Sequence, residues 1–139
     1  MRCDLTSFKM FISAFCDFEH NMCGYMQDPS GDFNWLRNKG ATTSFGTGPA
    51  VDHTLQTPQG YYIYTEASGR RRFGDKARLI GPLLADNQPY CLQFWFHMRG
   101  FHIGQLNIYI KVSSCAIPEG HITLMTLCYF IFIHIPNLK

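Results

Sequence analysis

An all-β antiparallel sandwich is the fold this sequence predicts, and three observations predict it. Short runs of aromatic and β-branched residues alternate with clusters of Gly, Pro, Asn and Asp. Helical periodicity is weak throughout the chain. Aromatic residues make up 15% of the sequence and charged residues 16%, a balance that suits a packed β protein better than a disordered one. At 139 residues the chain supports one domain with a real core.

The strands follow in order. Tyr61, Tyr62, Ile63, Tyr64 and Thr65 are strong β formers placed directly after Pro58-Gln59-Gly60. Ala77-Arg78-Leu79-Ile80 forms a second run, closed by Gly81-Pro82. Residues 90–98 alternate, with Cys91, Gln93, Trp95 and His97 on one face and Leu92, Phe94, Phe96 and Met98 on the other. The second set is wholly apolar and is expected to face the core. In residues 105–112 the inward set is Leu106, Ile108, Ile110 and Val112, and Gly100 and Gly104 mark a hairpin connection between the two runs. Phe94, Phe96, Leu106 and Ile108 are therefore expected to share one core face.

Bulk properties narrow the function. A net charge of +2 is too small to argue for nucleic acid, and no stacking motif or nucleic-acid-binding fold accompanies it. Six cysteines without a redox motif or a double CxxC pattern favour an oxidising compartment. The segment before Phe15 has Met10-Phe11-Ile12 as its longest apolar run, too short for the hydrophobic region of a signal peptide. Residues 1–15 are read as a lead-in to a module taken from something larger.

Catalysis is not indicated. The sequence has no nucleophile elbow, phosphate-binding Gly-rich loop or paired zinc motif. Cys91 and His97 fall on one strand face but ~20 Å apart at the strand rise, too far for a dyad. Cys16, His20 and Cys23 have spacing open to either a short disulfide loop or zinc, although zinc lacks a fourth ligand nearby. Arg70, Arg71 and Arg72 form the basic cluster, followed by Lys76 and Arg78. It reads as an exposed hairpin loop, solvated by default and otherwise a contact for an acidic partner. After Val112 the character changes: residues 113–120 are loop-like and residues 122–135 nearly continuously apolar. Fourteen residues are short for a membrane-spanning helix, which needs about 20. A lipid-anchor signal would need a longer spacer than the one after Ser113-Ser114-Cys115-Ala116. The run is read as a sticky, β-prone terminus whose removal improves solubility.

Several blocks recur in a family's order over residues 16–112. They are Cys16-Asp17-Phe18-Glu19, Cys23-Gly24-Tyr25, Asp32-Phe33-Asn34-Trp35, Gly48-Pro49 with Asp52-His53-Thr54, Gly60-Tyr61-Tyr62-Ile63-Tyr64, Ala77-Arg78-Leu79, Cys91-Leu92 and Phe94-Trp95-Phe96-His97-Met98. Together they resemble the MAM domain, an extracellular interaction module named for meprin, neuropilin and receptor phosphatase mu. The resemblance implies a jelly-roll β-sandwich, here incomplete at its C-terminal side, with residues 113–139 an unrelated hydrophobic tail. It favours a structural Cys16–Cys23 disulfide over zinc and leaves Cys91 without its family partner, Cys115 and Cys128 being substitutes at unmatched positions and Cys3 unassigned. It further implies a structural Ca2+ or Na+ held by hard oxygen ligands from Glu19 and Asp52, with Asp17 a weaker third. The plainer reading is that Asp52 caps a turn while Asp17 and Glu19 are solvated.

The implied function is non-catalytic adhesion at the cell surface or outside the cell, through a protein partner or self-association. Membrane attachment would come only through a parent protein or anchor. The alternatives are an accessory oligomerisation domain of a secreted or membrane hydrolase and a non-functional isoform fragment.

Overall fold

The computed structural model describes residues 16–82, 92–101, 103–114 and 127–136. The lead-in at 1–15 and the pairing of Cys3, Cys91 and Cys115 lie outside those residues. The described elements are β1 (Met26–Gln27), β2 (Leu36–Lys39), β3 (Tyr61–Tyr64), β4 (Lys76–Ile80), β5 (Asn107–Ser114) and β6 (Leu127–Pro136). Every pairing between these strands is antiparallel, and the described residues contain no helix. One sheet runs β1-β4-β6-β5 and a smaller one pairs β2 with β3. The chain is thus an all-β sandwich, as its alternating short strands predict.

The core lies where β4 meets the smaller sheet. Along Lys76–Ile80, Ala77 and Leu79 are fully buried while Lys76, Arg78 and Ile80 are half-buried, the two-residue period of a strand with one inward face. Trp35 completes the buried cluster, and Met22, Tyr25, Phe33, Ile63 and Leu106 pack around it. Ile63 comes from β3, so the cluster joins the two sheets. The side-chain amide of Gln27 holds Trp35 in place. Its Oε1 accepts from the Trp35 N–H at 3.0 Å and its Nε2 donates to the Trp35 carbonyl at 2.9 Å. That pair of bonds does for an irregular segment what a ladder does for a strand.

Two turns tie β1 to β4 beyond their short ladder. Asp28 N–H donates to the Arg78 carbonyl at 3.1 Å, and Asp32 N–H to the Lys76 carbonyl at 2.7 Å. Between them Gly31 sits so close to β4 that a Cβ would come within 3.1 Å of the Lys76 carbonyl oxygen. Only glycine fits that approach without displacing backbone.

The structure corrects three expectations. Residues 92–98 are not in a strand. Leu92, Phe94 and Phe96 are exposed, and the core is built from Trp35, Ala77 and Leu79 instead. Alternation marks a strand only where a neighbouring strand takes up its backbone bonds, and β5 takes its bonds from β6. Among the described residues, the hairpin expected around Gly100 and Gly104 is absent for the same reason. Second, the sandwich expected to be incomplete at its C-terminal side gains a strand there: β6 lies between β4 and β5, in register with β5 from Asn107↔His134 to Ser114↔Leu127. Residues 127–136, expected to be an appended tail, supply a central strand. Third, Arg70, Arg71 and Arg72 lie on a crossover between sheets, since β3 and β4 are not paired with each other. Leu106, just ahead of β5, packs on the core, whereas Ile110 within β5 is exposed.

Candidate interaction surface

Cys16 and Cys23 are joined in a disulfide, with Cα atoms 5.7 Å apart and a sequence separation of 7. On the loop-closure argument a bond across so short a loop contributes about 2–3 kcal/mol. The loop it closes is conformationally demanding. Phe18 has φ of 62° and Cys23 φ of 49°, both left-handed and unfavourable for residues with a Cβ. A hydrogen bond to the backbone holds each. Asn21 Oδ1 accepts from the Cys23 N–H at 2.6 Å. Arg37, from β2, donates through Nε to the Phe18 carbonyl at 2.6 Å and through a terminal nitrogen to the Glu19 carbonyl at 2.7 Å. The same guanidinium lies over the Tyr61 ring at 3.4 Å. Arg37 therefore clamps the stapled loop onto β2 and β3. Sequence reasoning missed it, because its partners are backbone carbonyls 18 and 19 positions away.

Two of the three expected cation ligands, Glu19 and Asp52, lie against the Gly60–Tyr61 peptide. Glu19 Oε1 accepts the Tyr61 N–H at 2.9 Å. Asp52 packs against the neighbouring Gly60, where any Cβ would overlap its carboxylate. Asp17 stays local, its Oδ1 accepting the Glu19 N–H at 3.0 Å. Asp52 is only 4% exposed, and its two oxygens accept N–H bonds from Leu55 at 2.6 Å and Thr57 at 3.3 Å. Among the described residues no three His, Cys, Asp or Glu side chains gather into a metal-binding group. Glu19 and Asp52 carry carboxylate oxygens, the hard donor type that Ca2+ or Na+ takes, and these oxygens accept backbone N–H bonds in the structure.

Burial alone raises the Asp52 carboxyl, but backbone hydrogen bonds outweigh it and hold the group below the ordinary aspartate value. Glu66 behaves alike: burial raises it, while bonds from Ser68, Ser44 and Thr43 bring it below the usual glutamate value. A depressed folded pKa means that the unfolded chain binds more protons, so stability rises with pH through this window. The contribution is complete above the ordinary carboxylate range, about pH 4–5, and is lost as pH falls through the folded values. Thermal melts at stepwise lower pH should show the melting temperature falling below about pH 5. Asp52→Asn should flatten that fall, and a melting temperature constant down to pH 3 would contradict the assignment.

The three arginines of the crossover do not act alike. Arg71 lies over the Phe33 ring at 4.2 Å, and its Nε donates to the Glu66 carbonyl at 3.4 Å. Arg70 and Arg72 are exposed. A second surface is apolar. The 44–55 loop and residues 92–101 are linked by a stacked His53–Trp95 pair with ring centroids 3.8 Å apart and by a 3.0 Å contact between His97 Nε2 and the Thr47 carbonyl. Phe45, Trp95, Phe96 and Phe101 stand exposed around those contacts. The alternating pattern of residues 91–98 concealed this face by suggesting a buried strand.

Comparison with known proteins places these features. A family model described as MAM domain, meprin/A5/mu, matches residues 16–126. MAM domain-containing glycosylphosphatidylinositol anchor protein 1 of Homo sapiens is 43% identical over 112 residues, covering 76% of this chain and 12% of that protein. MAM domain-containing glycosylphosphatidylinositol anchor protein 2 of Mus musculus is 36% identical over 113 residues, covering 71% of this chain and 12% of that protein. Thyroid hormone-induced protein B of Xenopus laevis is 45% identical over 115 residues, covering 82% and 15%. The chain thus spans a small part of the length of each relative.

Proposed function

The chain belongs to the MAM domain family, and from that premise we propose that it is a non-catalytic extracellular adhesion or interaction module. The observation that carries this reading is the family match over residues 16–126 together with the Cys16–Cys23 bond, a covalent link that persists in an oxidising environment. Relatives named as glycosylphosphatidylinositol anchor proteins support a cell-surface setting, with attachment supplied by a parent chain. None of the three relatives compared is named as a hydrolase, which favours adhesion over an accessory role in one. The geometry favours binding over reaction: Asp52 is committed to backbone N–H groups and His97 to a backbone carbonyl. The partner is a protein or a second copy of the module, met through the sandwich surface, with acidic groups opposite Arg70, Arg71 and Arg72.

The test is secretion of the chain behind a supplied leader, followed by cell-binding and sedimentation measurements. Saturable binding to cell-surface protein, or a dimer forming at micromolar concentration, is expected, with loss of either on reduction. A secreted monomer that binds no cells and stays monomeric to about 0.1 mM would overturn the proposal.

A structural Ca2+ or Na+ forms part of the same proposal, held by Glu19 and Asp52 with Asp17 beside them. A ligand present at one hundred times its dissociation constant stabilises the state that binds it by about 2.7 kcal/mol. Millimolar calcium should therefore raise the melting temperature, with Na+ titrated separately. Glu19→Gln should abolish the rise while retaining an acceptor for the Tyr61 N–H. An unchanged melting temperature in both titrations would exclude the site.

A further inference from the structure

We propose that the crossover bearing Arg70, Arg71 and Arg72 is an endoproteolytic processing site, cut between Arg72 and Phe73 by a serine endopeptidase specific for paired basic residues. Residues 68–73 are all exposed. The segment is flanked by Gly69 at φ 81° and Gly74 at φ 105°, and a Cβ at either would meet no atom within 4 Å. Both flanks therefore lie in open space, the accessibility that a protease cleft needs. Exposed loop tips are where chains are preferentially nicked. The arginines supply the specificity: Arg72 offers a free side chain to an acidic pocket, and Arg71 precedes it.

One feature restrains the cut. Arg72 N–H donates to Asp75 Oδ2 at 2.9 Å, and the Arg72 carbonyl accepts the Asp75 N–H at 3.1 Å. Protease clefts bind substrate extended, so this turn must open first. Arg71 must also leave the Phe33 ring. These are local contacts, and their release leaves β3 and β4 in place. In the reaction, water adds its hydroxyl to the Arg72 carbonyl carbon, the C–N bond to Phe73 breaks, and the remaining proton goes to the Phe73 nitrogen.

The position of the cut gives it a consequence. β1, β2 and β3 fall on the first product and β4, β5 and β6 on the second. The Cys16–Cys23 bond lies wholly within the first. Among the described residues, the products are then joined without a covalent link by the β1–β4 pairing, Met26↔Ile80 and Gln27↔Leu79, the Phe33–Ala77 bridge, the Asp28–Arg78 and Asp32–Lys76 hydrogen bonds, the His53–Trp95 stack, the His97–Thr47 contact and the shared core. Processing would convert one continuous chain into two pieces, the first carrying β1 away from the larger sheet's covalent continuity, a means of ending adhesion. Meeting such a protease rests on the extracellular reading above. Digestion of purified protein tests the site alone, so its failure leaves the secretion and cell-binding results standing.

The experiment is limited digestion of the folded full-length chain by trypsin and, in parallel, by a paired-basic-specific serine endopeptidase, read by intact mass. The first products should be residues 1–72 and 73–139, co-eluting in native buffer and separating at a lower denaturant concentration than unfolds the uncut chain. Arg72→Gln should slow that first cut at least tenfold without moving the melting temperature, since its side chain is exposed. Asp75→Ala should accelerate it several-fold by freeing the turn. A first cut elsewhere, such as after Lys39 or Arg99, would overturn the proposal. So would simultaneous digestion at many basic residues, or an Asp75→Ala rate no higher than that of the parent chain.

Discussion

Removing residues 127–136 should abolish the cooperative unfolding transition. β6 is the central strand of the larger sheet, paired with β4 from Lys76↔Pro136 to Ile80↔Phe132 and with β5 along Asn107–Ser114. Without it β5 has no partner among the described strands, and β4 keeps only the two-residue ladder to β1. A two-stranded pairing is marginal at best in water. The newly bare strand edges also become templates for intermolecular pairing. Chains ending at Ser114 are therefore expected to lose near-UV circular dichroism and to aggregate. This reverses the solubility gain expected from sequence, because an apolar run that looks adhesive in isolation is satisfied once both its edges are paired. A truncated chain that melts sharply as a monomer would show that β6 is dispensable.

Leu79→Ala should destabilise the protein by about 2–5 kcal/mol, the range for a fully buried leucine, whereas Phe96→Ala should change stability by less than about 0.5 kcal/mol. Leu79 is 0% exposed at the centre of the core cluster, and Phe96 is 69% exposed outside it. Small domains hold only about 5–15 kcal/mol in total, so the Leu79 variant should unfold at a markedly lower denaturant midpoint. Phe96→Ala should instead be read in the binding assay, since its ring belongs to the exposed aromatic face. Equal losses from the two variants would place residues 92–98 back in the core.

Much of this protein is determined locally and was legible in its sequence. The β character of Tyr61–Tyr64 and Lys76–Ile80 follows from residue type and flanking turns. The Cys16–Cys23 bond followed from the family resemblance, in keeping with a spacing that favours a short loop. Other features are set by chain segments far apart, and these only the tertiary structure decided. The pattern in residues 92–98 is a good strand pattern that pairs with no strand among the described residues, while residues 127–136 gain a strand's role from β4 and β5 on either side. Arg37 shows no signal in its own neighbourhood, because its hydrogen bonds and its ring contact exist only after the stapled loop folds onto β2 and β3. Glu19 and Asp52 were legible as carboxylates of interest, but their meeting at Gly60 and Tyr61 needed the fold. Side-chain periodicity encodes which residues suit a strand. Backbone hydrogen bonds are not specific to residue type, so which strand lies beside which is settled only when the whole chain competes for the same edges.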